Sequence, residues 1–136
     1  MMKALSTTPW SMPGSSRYYT GSVISYANDI KERILHVPVE TLEKDGAVSE
    51  ATVKQMVVGA LETMKTDFAL ATSGIMGPDG GSEGKPVGTV WIAVGDANEI
   101  ITQKFNFRYD RKRNIEMAAA NALNLLRKFI IDQGKI

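Results

Sequence analysis

Two short apolar runs, DFALATS (67–73) and VGTVWIAVG (87–95), bracket a glycine-rich stretch, and this arrangement constrains the fold more than any other feature of the chain. Each run is compact and too short for a helix, so each reads as a buried strand. The stretch that spans them, SGIMGPDGGSEGKPVGTV (73–90), holds six glycines and two prolines. Glycine costs more ordering entropy than any other residue, and it permits left-handed turns and close approach of the main chain to a ligand. Such a stretch needs either several left-handed turns or something small to hold. At the end of a buried strand it occupies the usual ligand crevice of α/β sheets, with many backbone N–H groups and little side-chain bulk. The plainer alternative is a long, tight connection between two strands.

The remaining elements follow from periodicity and punctuation. GSVISYA (21–27) is rich in β-branched residues and reads as a short strand. NDIKERILHV (28–37) places Ile30, Ile34 and Val37 at helical spacing, with Asn28 or Asp29 as cap and Pro38 as the stop. The clearest amphipathic helix is SEATVKQMVVGALETMK (49–65), where Val53, Met56, Val57, Ala60, Leu61 and Met64 share one face and Ser49 is the natural N-cap. IITQKFNF (100–107) alternates as a half-buried antiparallel strand, although Gln103 breaks its apolar face. A long helix over about 110–132 aligns Ile115, Ala118, Ala119, Ala122, Leu126, Phe129 and Ile130. The order β-α-α-β-β-β-α predicts one domain with a single mixed sheet and helices packed on it.

Composition narrows the function. The 136 residues carry a net charge of +1, which favours neither a nucleic-acid partner nor an anionic membrane. With no cysteine there is no disulfide, thiolate metal site or cysteine nucleophile, and the single histidine, His36, has no paired ligand nearby, so no metal is expected. No apolar run reaches the roughly 18 residues of a membrane span, and the start lacks a signal-peptide pattern. A cytoplasmic protein suits these absences.

Three side-chain groups stand out. Tyr26 ends the first strand, and Lys31 lies in the first turn of the helix after it. A positive helix end disfavours a second positive charge, so an ammonium there sheds its proton more readily and can act as a general base; most first-turn lysines, however, are simply solvated. RYDRKRN (108–114) concentrates four positive charges; it either holds a phosphate or, the favoured reading, starts a solvated helix. His36 reads as structural at an apolar helix end, and Trp91 and Phe105 as core residues. The glycine stretch is not a Walker A loop: Asp79 stands six positions before Lys85 and Pro86 replaces the magnesium-binding hydroxyl.

Taken together, PGSSRYYTGSVISYANDIKERIL, GAVSE and SGIMGPDGGSEGKPVGTVWIAV resemble the CinA C-terminal domain family, in one collinear order from about Pro13 to about Ile130. This family includes nicotinamide-nucleotide amidohydrolases, also called competence/damage-inducible proteins. The resemblance implies a three-layer α/β/α fold with a mixed sheet, no cofactor, and hydrolysis of the carboxamide of nicotinamide mononucleotide to nicotinate mononucleotide and ammonia. The family pattern YSNEAK matches YANDIK here, which gives Tyr26 the family's tyrosine role and Lys31 the base role. Ser73, Gly74, Gly77, Gly80 and Gly81 would frame the nucleotide, and Lys85 would reach its phosphate. The implied partner is a small pyridine mononucleotide, and relatives tend to self-associate.

One part of the family pattern does not occur. Members begin with a buried strand leading into ESCTGG, whose serine is the nucleophile, and by the family's spacing that serine falls at or before Met1. Residues 1–12 do not resemble the helix that follows it, since Pro9 would break one. The expected organisation is thus a non-family segment over 1–12 and a CinA C-terminal-like domain over 13–136. Ser6, Ser11, Ser15 and Ser16 lie nearby, but a shift of about 1 Å in a nucleophile costs orders of magnitude in rate. An impaired amidohydrolase is the expectation; the alternatives are a non-catalytic nucleotide-binding relative or a decayed fragment.

Overall fold

The computed structural model describes residues 13–134. The segment 1–12, with Ser6 and Ser11, lies outside the described residues. After a short 3-10 turn at Ser15–Arg17, the elements run α1 (Asn28–Arg33), α2 (Val39–Asp45), α3 (Glu50–Met64), β1 (Ala69–Gly74), β2 (Thr89–Gly95), β3 (Ile100–Asn106) and α4 (Arg111–Asp132).

The sheet has the order β1-β2-β3, and both pairings are antiparallel. Ala71 stands opposite Ala93, which stands opposite Thr102. Because side chains alternate between faces, β2 supplies two cores at once. Ala93 and Trp91 join Ala71, Val53, Met56, Val57, Leu35, Val37 and Leu42 on the side covered by α3 and α2. Val90 and Ile92 join Phe107, Ala118 and Ala122 on the side covered by α4. The α/β expectation, in three layers, therefore holds. Val53 and Val57 are fully buried, and burying such a side chain contributes about 1.5–3 kcal/mol each.

α3 forms where its periodicity and cap place it. Ser49 Oγ accepts the Thr52 N–H at 3.2 Å, satisfying one of the helix's open donors. Gly59 is the residue that lets α3 lie against the preceding chain: a Cβ there would sit 1.8 Å from the Leu35 carbonyl oxygen. α4 likewise starts on a cap, with Asp110 accepting the Arg113 N–H at 2.8 Å. Its buried residues Asn114, Ala118, Ala122 and Phe129 form one stripe, and Phe129 meets Phe68 edge to face at 6.2 Å.

The first third of the chain departs from expectation. Residues 21–27 join no ladder, and the described sheet contains no parallel pair, so it is antiparallel rather than mixed. β-branched residues favour extended backbone, but a strand exists only where a neighbour takes up its backbone donors and acceptors. The helix expected over 28–37 ends at Arg33; its N-cap is Ala27, with no side-chain capping bond, and Asp29 instead pairs with Arg33 at 2.8 Å across exposed surface. Beyond it Leu35 and Val37 are buried while Ile34 and His36 are exposed, an alternation of period two rather than a helical face. His36 adopts φ 56°, so it belongs to an exposed turn and not to an apolar helix end. Among the described residues no helix is long and apolar enough to cross a membrane.

Candidate functional site

The stretch between β1 and β2 is a folded-back loop, not an open strap. Its base is closed by Ile75 N–H to Thr89 O at 2.9 Å and Gly88 N–H to Ile75 O at 2.7 Å. Its tip is a tight turn in which Ser82 and Lys85 exchange backbone bonds at 2.9 and 3.0 Å, with Gly84 at φ 80°. Between these, the two arms touch: a Cβ on Gly77 would lie 2.5 Å from the Val87 side chain, and one on Gly81 would lie 2.8 Å from the Val87 nitrogen. The glycines thus serve the loop's own close packing.

That packing leaves donors unspent. The backbone N–H groups of Gly77, Asp79, Gly80 and Gly81 donate to no other described residue. Gly80 and Gly81 are exposed, where water suffices, but Gly77 is buried. A buried backbone N–H without a partner is rare and costly, so the loop presents at least one donor that a bound group would satisfy.

A second structural motif lies beside the loop. At the turn joining α2 to α3, three successive carbonyls each receive a side chain. Lys85 Nζ donates to Asp45 O at 2.6 Å, Ser73 Oγ to Ala47 O at 2.7 Å, and Thr52 Oγ1 and Ser49 Oγ to Gly46 O at 2.7 and 2.9 Å. Gly46, at φ 82°, gives the Lys85 ammonium its place, since a Cβ there would approach Nζ to 3.0 Å. Ser73, expected to frame a nucleotide, and Lys85, expected to reach its phosphate, are therefore brought together on the turn 45–47. The Lys85 ammonium gives one of its three donors to that carbonyl.

Lys31 and Tyr26 stand apart from this knot. Lys31 is 6% exposed, and its ammonium donates to the Ser25 carbonyl. Burial pushes the Lys31 amine below its usual pKa, because removing water penalises the charged form. The direction expected from sequence is right and its cause is different: Lys31 is the fourth residue of a six-residue helix, so it belongs as much to the last turn as to the first, and desolvation rather than the helix end acts on it. Tyr26 is 78% exposed. No hydrogen bond joins Tyr26 or Lys31 to the glycine loop among the described residues. Ser15 and Ser16 precede this segment, in the exposed 3-10 turn.

The start of α4 is the part of the site that sequence reasoning missed. Asn114 is wholly buried; its Nδ2 donates to Met76 O at 2.9 Å and its Oδ1 accepts the Tyr109 N–H at 3.1 Å. Arg111 donates to Gly77 O at 2.9 Å. The basic cluster 108–114 is thus not merely a solvated helix start, for two of its members grip the loop. The signal was present in the stripe 114, 118, 122, which continues the buried face of α4 one turn towards its N-terminus.

An α/β/α sandwich whose β1–β2 connection is a self-packed glycine loop, gripped by one helix start and one interhelix turn, defines the class. Residues 4–130 match the model of the CinA C-terminal domain, and the chain belongs to that family. It is 48% identical over 118 residues to a CinA-like protein of Cytophaga hutchinsonii, covering 87% of this chain and 28% of that protein. It is 46% identical over 127 residues to a CinA-like protein of Fervidobacterium nodosum, covering 93% of this chain and 31% of that protein. The chain thus spans under a third of the length of these curated relatives. Among solved structures, a competence/damage inducible protein from Agrobacterium tumefaciens superposes with a TM-score of 0.85 at 36% identity, over 88% of this chain and 73% of that one. A competence-damaged protein (CinA) superfamily protein from Escherichia coli gives 0.87 at 30% identity, over 92% and 73%.

Proposed function

We propose that this chain binds a pyridine mononucleotide in the loop 74–85 and is a nicotinamide-nucleotide amidohydrolase-type domain. The observation that carries the reading is the set of uncommitted N–H groups at Gly77, Asp79, Gly80 and Gly81. Successive main-chain donors in a glycine loop suit a phosphate. Lys85 adds a cation at the same loop, and Lys31 adds an amine whose burial favours its neutral, proton-accepting form.

In carboxamide hydrolysis the C–N bond breaks, a C–O bond forms with oxygen derived from water, and ammonia departs with a proton that a base has taken up. Lys31 is the residue suited to that base role. No hydrogen bond joins Lys31 or Tyr26 to the glycine loop among the described residues, which favours a second reading in which the chain binds the nucleotide without turning it over. Ammonia release from nicotinamide mononucleotide, paired with calorimetric titration of nicotinate mononucleotide, separates the two. Release that Lys31→Ala abolishes supports the amidohydrolase. Binding heat without release supports the binding protein, and absence of both contradicts either reading.

A further inference from the structure

The fully buried Asn114 carries no charge and holds no phosphate, yet it is bonded to a carbonyl near the start of the loop. Its Nδ2 donates to Met76 O, and that oxygen belongs to the peptide unit whose N–H is Gly77's. In a trans peptide the carbonyl and the N–H point in opposite directions. Drawing Met76 O onto α4 therefore turns the Gly77 N–H away from α4. Gly77 is buried, and its N–H donates to no other described residue. Arg111 fixes the carbonyl of the next peptide unit, Gly77 O, from the same helix, so the two peptide units that meet at the Gly77 Cα are both held by α4.

We infer that Asn114 is a positioning residue, which aims the Gly77 N–H at the anionic group of the bound mononucleotide. The inference rests on the nucleotide-binding reading for the identity of the ligand, and on Asn114's own bonds for the orientation. A leucine-like residue at 114 would complete the apolar stripe with Ala118 and Ala122 and bury at least as well. The amide instead spends its donor on the loop and its acceptor on the Tyr109 N–H. No other polar side chain on α4 is buried to the same extent.

The test uses the 136-residue chain labelled with 15N. Asn114→Leu removes both side-chain bonds while keeping the same branching and number of side-chain heavy atoms. Asn114→Asp keeps an acceptor for the Tyr109 N–H and loses the donor to Met76, so it serves if the leucine variant fails to fold. Two readouts apply to each. In the ligand-free protein, residual dipolar couplings report the direction of the Gly77 N–H; the expected result is a changed coupling at Gly77 with those of β2 preserved. Nicotinate mononucleotide is then titrated, and the dissociation constant is expected to rise about tenfold, the loss of roughly one charge-assisted hydrogen bond. A coupling at Gly77 equal to wild type in a folded variant overturns the inference. So does an altered coupling with affinity kept within twofold. If the wild type binds no mononucleotide, the nucleotide reading fails by itself, and the coupling alone decides whether Asn114 orients the peptide.

Discussion

The sheet contains two connections between antiparallel neighbours, and they are built in opposite ways. From β2 to β3 the chain needs only Asp96–Glu99: Asp96 N–H bonds Glu99 O at 2.9 Å, and Asp96 Oδ1 accepts the N–H groups of Asn98 and Glu99 at 2.8 Å. Asp96, Asn98 and Glu99 thus each spend their N–H within the turn. From β1 to β2 the chain takes residues 75–88, closes them at the base, and leaves the N–H groups of buried Gly77 and of exposed Asp79, Gly80 and Gly81, among others, without a partner among the described residues. Two strands of this sheet evidently can be joined in four residues, so the extra length serves something other than joining them. Long ordered loops in compact domains are usually functional, and this one is held in shape by α4 and by the 45–47 carbonyls.

The comparison can be broken most severely at the loop's base. Gly88 sits at φ 95°, and a Cβ there would lie 1.7 Å from the Phe107 carbonyl oxygen. Gly88→Ala is expected to cost at least about 3 kcal/mol, read from the urea midpoint, because it combines backbone strain with a clash against β3's exit. Gly84, at φ 80° with nothing within 4 Å of a Cβ, is the control, and Gly84→Ala should cost only about 1–2 kcal/mol. Equal losses at the two positions would show that the base is no more structural than the tip.

A smaller effect sharpens the same contrast from the other side. Asp96→Ala removes the acceptor for two turn N–H groups and should cost about 1–2 kcal/mol of stability. Affinity for nicotinate mononucleotide should not change. A parallel loss of binding would mean that the two connections are not functionally separate.

The smallest expected effect concerns Lys31. Its folded-state pKa lies below the unfolded value of 10.5, so at neutral pH the unfolded chain carries the charge more willingly than the folded one. The resulting penalty is fully present below the folded pKa and disappears as pH rises through the window up to 10.5. Lys31→Met should therefore raise the melting temperature at pH 7, with the gain shrinking as pH approaches 10.5. A gain that is constant with pH would trace to packing instead.

Much of this was legible in the sequence because the relevant signals are local. Ser49 before an apolar period of 3.6 residues gives α3 within one residue, and two apolar runs around the glycines give β1 and β2. What was illegible depends on partners distant in the chain. Residues 21–27 have the composition of a strand, but pairing is not a property of composition, and among the described residues no neighbour supplies it. Ile30, Ile34 and Val37 fit a helix by spacing, yet burial falls on Leu35 and Val37 in a non-helical turn. The site shows the same division. Its glycines and lysines are visible as residue types, whereas the use of Ser73 and Lys85 as donors to carbonyls 26 and 40 positions away appears only once the chain is folded. Asn114 was hidden by its charged neighbours, although its place in the stripe with Ala118 and Ala122 marked it as inward-facing.

The central claim, that the β1–β2 connection is kept long in order to hold a phosphorylated pyridine, is tested most directly by following the backbone amides of the 15N-labelled chain during titration with nicotinate mononucleotide. The account predicts saturable shifts at Gly77, Gly80 and Gly81, with Asn98 and Glu99 unmoved, and much weaker shifts with nicotinate lacking the ribose phosphate. Loop amides that stay in place up to about millimolar ligand, where binding is worth only about 4 kcal/mol, would contradict it.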